Sequence, residues 1–269
     1  MPRRITAFSN PLVKQARGLR DKKNRRAEGL FLAEGLRILT EAREAGVLPE
    51  RLFFSDAAHP LLQRLIEETE AGGGEAIETD AGILHKISGK DNPQTVLGIY
   101  RQFDTGLAGI ERAAAPLWIV AQALRDPGNL GTILRTGDAV GAGGLILVDE
   151  CADPFSVEAV RASMGALFTQ RVAAARWEEF AAWLRAGEGQ LIGTSLNAAL
   201  DYQAPRYEKP AFILVGNEQA GLPAACEAEC DLLVRMPMLG KADSLNAAVA
   251  TAVMAYEVIN QWRRPQNGP

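Results

Sequence analysis

Three short runs combine ligand-binding residue types with the glycines and turn formers that hold such residues in loops. They are RDPGNLGTILR (Arg125 to Arg135), VGNEQAGLP (Val215 to Pro223) and MPMLGKADSLNAAVATAVMAY (Met236 to Tyr256). Each run sits at the end of an apolar stretch that reads as a strand, and loops after parallel strands are where such sheets take ligands. In the first, Asp126-Pro127-Gly128-Asn129 is dense in turn chemistry, and Gly131 opens a helix bearing Arg135 on its first turn. Exposed N–H groups at that helix start, with a guanidinium nearby, would hold a phosphate. The plain alternative is a turn with Asn129 as N-cap and Arg135 at the surface. In the second run Glu218 stands at the carboxyl edge of the sheet, where a carboxylate costs free energy without a partner. It equally suits a helix start near Gly221-Leu222-Pro223. In the third, Ser244 is a good N-cap, and Asn246 satisfies either the first turn or a ligand. Three loops of this kind suggest one composite site.

Other chemistries find little support. Gly141-Ala142-Gly143-Gly144 follows a helix and precedes a strand, the reverse of a dinucleotide fingerprint, and reads as a helix stop with a tight turn. There is no Gly-Lys-Ser/Thr phosphate loop. Cys151, Cys226 and Cys230 are odd in number and sparse, which argues against a disulfide framework and fits a reducing compartment. Cys226 and Cys230 have zinc-like spacing, but the only histidines, His59 and His85, are far off in sequence, so no metal is expected. No stretch approaches the roughly 18 to 20 apolar residues of a membrane span. The start, MPRRITAFSNP, lacks the apolar core of a secretion signal, so the expected location is cytoplasmic.

These loops need elements to hold them. With 269 residues and 47% apolar composition the chain can bury a full core, and its length favours two modest domains. Asn10 to Arg26 reads as helical, with Leu12, Val13, Ala16 and Leu19 on one apolar face. Leu30 to Ala33, Arg51 to Ser55 and Val96 to Tyr100 read as strands; Gly35 to Ala45, Pro60 to Ala71 and Asp80 to Ser88 read as helices. DTGLAGIERAAAP has weak periodicity and turn formers at both ends, which places domains at 1–103 and 116–269 with a linker at 104–115. Beyond it, Leu117 to Leu124 and Gly144 to Val148 are apolar strands around a helix at Gly131 to Val140. Further strands are expected at Arg171 to Ala174, Leu191 to Thr194, Ala211 to Val215 and Leu232 to Met236, and helices at Ser156 to Phe168, Trp177 to Ala186 and Ser244 to Trp262. Strands apolar on both faces imply a parallel sheet covered by helices.

The net charge of −4 conceals an asymmetry. Residues 1–26 hold nine basic side chains against Asp21 alone, a net +8 that leaves −12 elsewhere. Such a segment is either a phosphate-contacting surface or a solvated basic helix face.

In this order, NLGTILR, LVGNEQAGLP and MPMLGKADSLNAAVA resemble the three motifs of the SpoU/TrmH family of RNA ribose 2'-O-methyltransferases, in the SPOUT superfamily, and the likeness spans Leu117 to Trp262. VRASMGALF (Val160 to Phe168) is similar to the family's region between the first two motifs. SNPLVK, the Lys/Arg run and FLAEGLRIL are more loosely similar to the substrate-binding domain attached to many members, and DNPQTVLGIY to the segment that closes it. Ala247 and Ala248 depart from the pattern, in which larger or hydroxylated residues are common. The resemblance implies a carboxy-terminal α/β domain with a deep trefoil knot, beside a small amino-terminal α/β domain. Knots are so rare that no periodicity would suggest one. It further implies a homodimer through the knotted domain and S-adenosylmethionine as cofactor. Carried across by motif, Gly216, Met236 and Leu245 line the adenosine, with Thr194 and Ser195 as further candidates. Arg135 is the implied catalytic group, supported by Asn129, Glu218, Ser244 and Asn246. Arg17, Arg20, Lys22, Lys23, Arg25 and Arg26 are the expected RNA contacts, with ribosomal RNA placed ahead of transfer RNA as substrate. Base methylation, or an RNA-binding assembly protein without the donor, are the competing readings; the Asn129 to Arg135 motif and the retention of all three loops disfavour them.

Overall fold

The computed structural model describes residues 2–90 and 92–264. Asp91, the first residue of DNPQTVLGIY, and residues 265–269 at the end of the expected carboxy-terminal domain lie outside the described residues. The first elements are β1 (Arg3–Arg4), α1 (Pro11–Gly18), α2 (Lys22–Glu28), β2 (Leu30–Glu34), α3 (Leu36–Glu44), β3 (Arg51–Phe54), α4 (Pro60–Ala71), β4 (Glu75–Glu78), α5 (Ala81–Ser88) and β5 (Val96–Arg101). After two 3-10 turns follow β6 (Leu117–Gln122), α6 (Pro127–Val140), β7 (Gly144–Val148), α7 (Val157–Ser163), β8 (Arg171–Ala175) and α8 (Trp177–Arg185). The chain continues through β9 (Gln190–Thr194), β10 (Leu200–Asp201), β11 (Ala211–Val215), α9 (Ala224–Ala228), β12 (Leu232–Arg235) and α10 (Ala247–Arg263).

Two compact units result: the chain up to Phe103 together with Asp153–Thr169, and Asp104–Ala152 together with the chain from Gln170. The first unit is built on a mixed five-stranded sheet in the order β1-β4-β3-β5-β2. Its apolar layer joins Val13, Ala16 and Leu19 of the amino-terminal helices to Leu32, Phe53, Ile77 and Ile99 of the sheet. A second layer forms where Phe155 and Phe168 approach Phe31, with ring centroids 5.1 and 5.9 Å apart. The helical stretch expected over Asn10 to Arg26 is two helices. Asp21 caps the second by accepting from Lys23 N, while Asn24 Nδ2 donates to the Gly18 carbonyl and Arg25 to those of Leu19 and Arg20. Side chains of α2 thus hold the carbonyls at and just beyond the end of α1, and the break is stable. The expected helix through Phe168 also stops early. Met164 turns left-handed, and Gly165 at φ +103° lies so close to Glu41 that a Cβ would sit 2.5 Å from its side chain.

The second unit is built on seven parallel strands in the order β10-β12-β9-β11-β6-β7-β8. All residues of β6, β7 and β11 are buried, as the continuous apolar runs required of central parallel strands. The α/β architecture with a parallel carboxy-terminal sheet is the one expected. Residues 104–115 pack on this unit: Gly106 bridges to Ala174 and Ile110 is buried. The last helix, α10, packs against α6 and β11.

Candidate functional site

The loops after β9, β11 and β12 and the start of α10 enclose a cleft of about 270 Å³. The three strands are neighbours, so their carboxyl ends open at one edge of the sheet, the usual ligand position in parallel α/β folds. Thr194, Ser195, Gly216, Glu218, Met236, Ser244 and Leu245 line it. Asn129, Arg135 and Asn246 do not. Asn129 and Asn246 are nevertheless tied to it, because Asn246 Nδ2 donates to Asn129 Oδ1 at 2.8 Å and Asn129 Nδ2 donates to Glu218 Oε1 at 3.1 Å. Arg135 stands apart from this network: it is exposed, and its side chain makes no hydrogen bond or ion pair with any described residue.

The local chemistry explains this geometry. β6 stops at Gln122, short of the expected Leu124, because Ala123 adopts φ +49°, a left-handed conformation uncommon for alanine. Asn217 Nδ2 donates to the Ala123 carbonyl at 2.9 Å and fixes that turn. The Asn217 loop is itself closed: its N–H and carbonyl pair with Gly221 in both directions, and its Oδ1 accepts from the N–H groups of Gln219 and Ala220. Gly216 must lack a side chain, since a Cβ there would lie 2.3 Å from the Gly221 backbone. Helix α6 starts at Pro127, with Asp126 as N-cap accepting from Asn129 N at 2.6 Å. Proline is pre-set for that first helical position. This corrects two expectations: Asn129 is not the cap, and Arg135 lies on the third turn rather than the first. At α10 the cap is Asn246, not Ser244, accepting from Ala248 and Val249.

The expected anion seat at the start of α6 is also corrected. The N–H groups of Arg125 and Asp126 donate to Glu218, at 3.3 and 3.2 Å, so a protein carboxylate already occupies the positive end of the helix. Partial burial pushes the Glu218 carboxyl up. Hydrogen bonds from its own N–H, from Asn129 and from the backbone of Asp126 and Arg125 outweigh that and hold it below the usual value.

Known proteins share this arrangement of motifs. Residues 116–256 match the SpoU rRNA Methylase family. The chain belongs to that family. Residues 10–98 of this SpoU member match the MRM3-like substrate binding domain. It is 28% identical to a 23S rRNA (guanosine(2553)-2'-O)-methyltransferase of Bacillus subtilis, over 95% of this chain and 99% of that one. It is 32% identical to a 23S rRNA (uridine(2479)-2'-O)-methyltransferase of Streptomyces viridochromogenes, covering 96% of this chain and 92% of the relative. Among solved structures, an AdoMet-bound rRNA methyltransferase from Sinorhizobium meliloti superposes with a TM-score of 0.89 at 40% identity, covering 96% and 97% of the two chains.

In this SpoU chain the cleft walls are mixed. Val215, Leu222, Ala247 and Ala250 supply apolar surface, while the strand ends supply backbone groups, a combination that suits a nucleoside. Asn217 and Glu227 are among the lining residues that the sequence did not single out. Asn217 shapes the loop, and its Asn-Glu-Gln-Ala-Gly context carried the signal of a side chain closing a turn. Glu227 lines the cleft from α9, a five-residue helix with no periodicity to reveal it. In the amino-terminal unit, Arg17, Arg20, Lys22, Lys23 and Arg26 are exposed, and Arg17 and Arg20 border a shallow depression with Lys14 and Asn24. Arg25 is withdrawn from the RNA-contacting set. It is 3% exposed, and its guanidinium is held by Asp153 at 2.6 Å and by two carbonyls at the end of the first helix and just beyond it.

Proposed function

We propose that this chain transfers a methyl group from S-adenosylmethionine to a ribose 2'-hydroxyl of ribosomal RNA. The observation that carries this reading is the convergence of all three motif loops. The second and third motifs line one cleft, and the Glu218–Asn129–Asn246 hydrogen bonds tie that cleft to the helix bearing Arg135. The names of the SpoU relatives support ribosomal over transfer RNA.

The cleft fits the donor's nucleoside: Gly216, Met236 and Leu245 would hold it by backbone and apolar contact, with Thr194 and Ser195 at the adjoining strand end. When bound, S-adenosylmethionine supplies an electrophilic methyl group. The chain's own task is to position the ribose oxygen in line and to favour its developing charge. The Arg135 guanidinium offers only donors, so its role is to clamp a neighbouring phosphate and donate hydrogen bonds to the ribose oxygen as it becomes negative. Asn129, Glu218, Ser244 and Asn246 keep the loops in register around that reaction. The amino-terminal basic side chains hold the RNA through its phosphates. By the same reading residues 1–103 form the substrate-binding domain and 116–269 the catalytic one, the latter with the family's knotted path and paired as a homodimer. Exposed Leu200, Leu239, Val249 and Tyr256 suit such a pairing. The three free cysteines and a ribosomal substrate both fit the cytoplasm.

The test is Arg135→Ala assayed with labelled S-adenosylmethionine and unmodified ribosomal RNA. Methyl transfer should fall by at least about a hundredfold, with donor affinity by calorimetry unchanged. Transfer at the native rate would remove Arg135 from the mechanism. A product that is not protected from alkaline cleavage at the modified position would rule out ribose methylation.

A further inference from the structure

Two carboxylates line the donor cleft, and they differ in one respect. Glu218 is occupied by the donors of Arg125, Asp126 and Asn129. Glu227 is half-buried, lines the same cleft, and makes no side-chain hydrogen bond or ion pair with any described residue. Its neighbour on the same short segment, Glu229, is paired with Arg185 at 2.7 Å. A partly desolvated carboxylate without donors is costly unless a ligand supplies them. Helix α9 is held in place from below, where Cys226 is buried in the apolar cluster with Phe212, Leu214 and Leu222, so Glu227 is presented to the cleft on a fixed support.

We infer that Glu227 is a donor-binding residue whose carboxylate accepts hydrogen bonds from the polar hydrogens of S-adenosylmethionine, either its ribose hydroxyls or its ammonium group. This rests on the reading of the cleft as the donor site. It adds a charged contact that the three motifs do not contain. A carboxylate is suited to both groups: it accepts paired hydroxyl hydrogens of a ribose as it does in dinucleotide sites, and it forms a charge-assisted bond with an ammonium.

Calorimetry on the whole 269-residue chain tests it with three proteins and two ligands. The native chain, Glu227→Gln and the control Glu229→Gln are each titrated with S-adenosylmethionine and with 5'-methylthioadenosine, which keeps the ribose and lacks the ammonium. Glu227→Gln should bind S-adenosylmethionine roughly tenfold more weakly, and Glu229→Gln should match the native protein. An equal loss with methylthioadenosine assigns the contact to the ribose; an unchanged affinity for it assigns the contact to the charged methionine end that methylthioadenosine lacks. If Glu227→Gln binds S-adenosylmethionine as tightly as the native chain does, the inference is wrong while the donor site stands. If the native chain binds neither ligand, the donor site and the inference fall together. Native-like unfolding of Glu227→Gln confirms that any loss is local.

Discussion

Glu218 accepts from two backbone N–H groups and one side-chain amide of the first motif loop, so deleting its carboxylate orphans three donors at once. Glu218→Ala should therefore lower stability by about 2 kcal/mol in urea unfolding, a value moderated because the donors are partly solvated. The same carboxyl is held below its ordinary value of 4.5. Its stabilisation is complete above that value and fades as the pH falls through the lower folded one. The stability gap between the native protein and Glu218→Gln should thus be constant from neutral pH down to mildly acid solution and shrink below it. A gap that widened in acid would contradict the assignment. Asn246 plays a double part, capping α10 with Oδ1 and donating to Asn129 with Nδ2. Asn246→Asp keeps the cap but loses the donated bond. It should keep most of the roughly 1 kcal/mol that Asn246→Ala loses through the cap, yet impair methyl transfer as the alanine does.

Elements differ in what the sequence discloses about them. The runs LWIVAQ, GLILV and AFILV are apolar on both faces, and a strand buried on both sides has no other way to be written, so β6, β7 and β11 were legible. β4 was not: in Glu75-Ala76-Ile77-Glu78 only the middle pair is apolar, too short a pattern to declare a period. The start of α6 was misplaced because Asp-Pro-Gly also suits a turn, although Asp126 as N-cap and Pro127 at the first helical position form a local helix start. The site was legible as three loops, since each carries its own turn chemistry. The charge run was legible as a run, but not the separation of its members, because burial of Arg25 depends on Asp153, 128 residues away. That separation has a measurable consequence for α1 and α2. Arg25→Ala leaves Asp153 unpaired and should cost about 3 kcal/mol of stability. Replacing Arg17, Arg20, Lys22 and Lys23 by alanine should change stability by less than about 1 kcal/mol in total. The same replacements should reduce the salt slope of RNA binding by roughly one for each phosphate that these side chains neutralise. An unchanged slope would make this a solvated face.

At the scale of the molecule, the boundary between units is crossed three times by the chain, at Phe103, Ala152 and Thr169. Residues 153–169 begin between β7 and β8 of the parallel sheet yet bury Phe155, Val157 and Leu167 in the amino-terminal unit. A cut at residue 103 should therefore leave apolar surface on both pieces. The fragment 104–269 should bind a hydrophobic dye through Phe155, Val157 and Phe168, and the fragment 1–103 through the uncovered face around Phe31 and Tyr100. Dye binding by either piece no greater than that of the whole chain would show that the excursion is dispensable. The same excursion sets an order of events during synthesis. The ribosome releases β6, α6 and β7 before it has delivered the last piece of the amino-terminal unit, so that unit waits, partly open, while the beginning of its successor is already outside the exit tunnel.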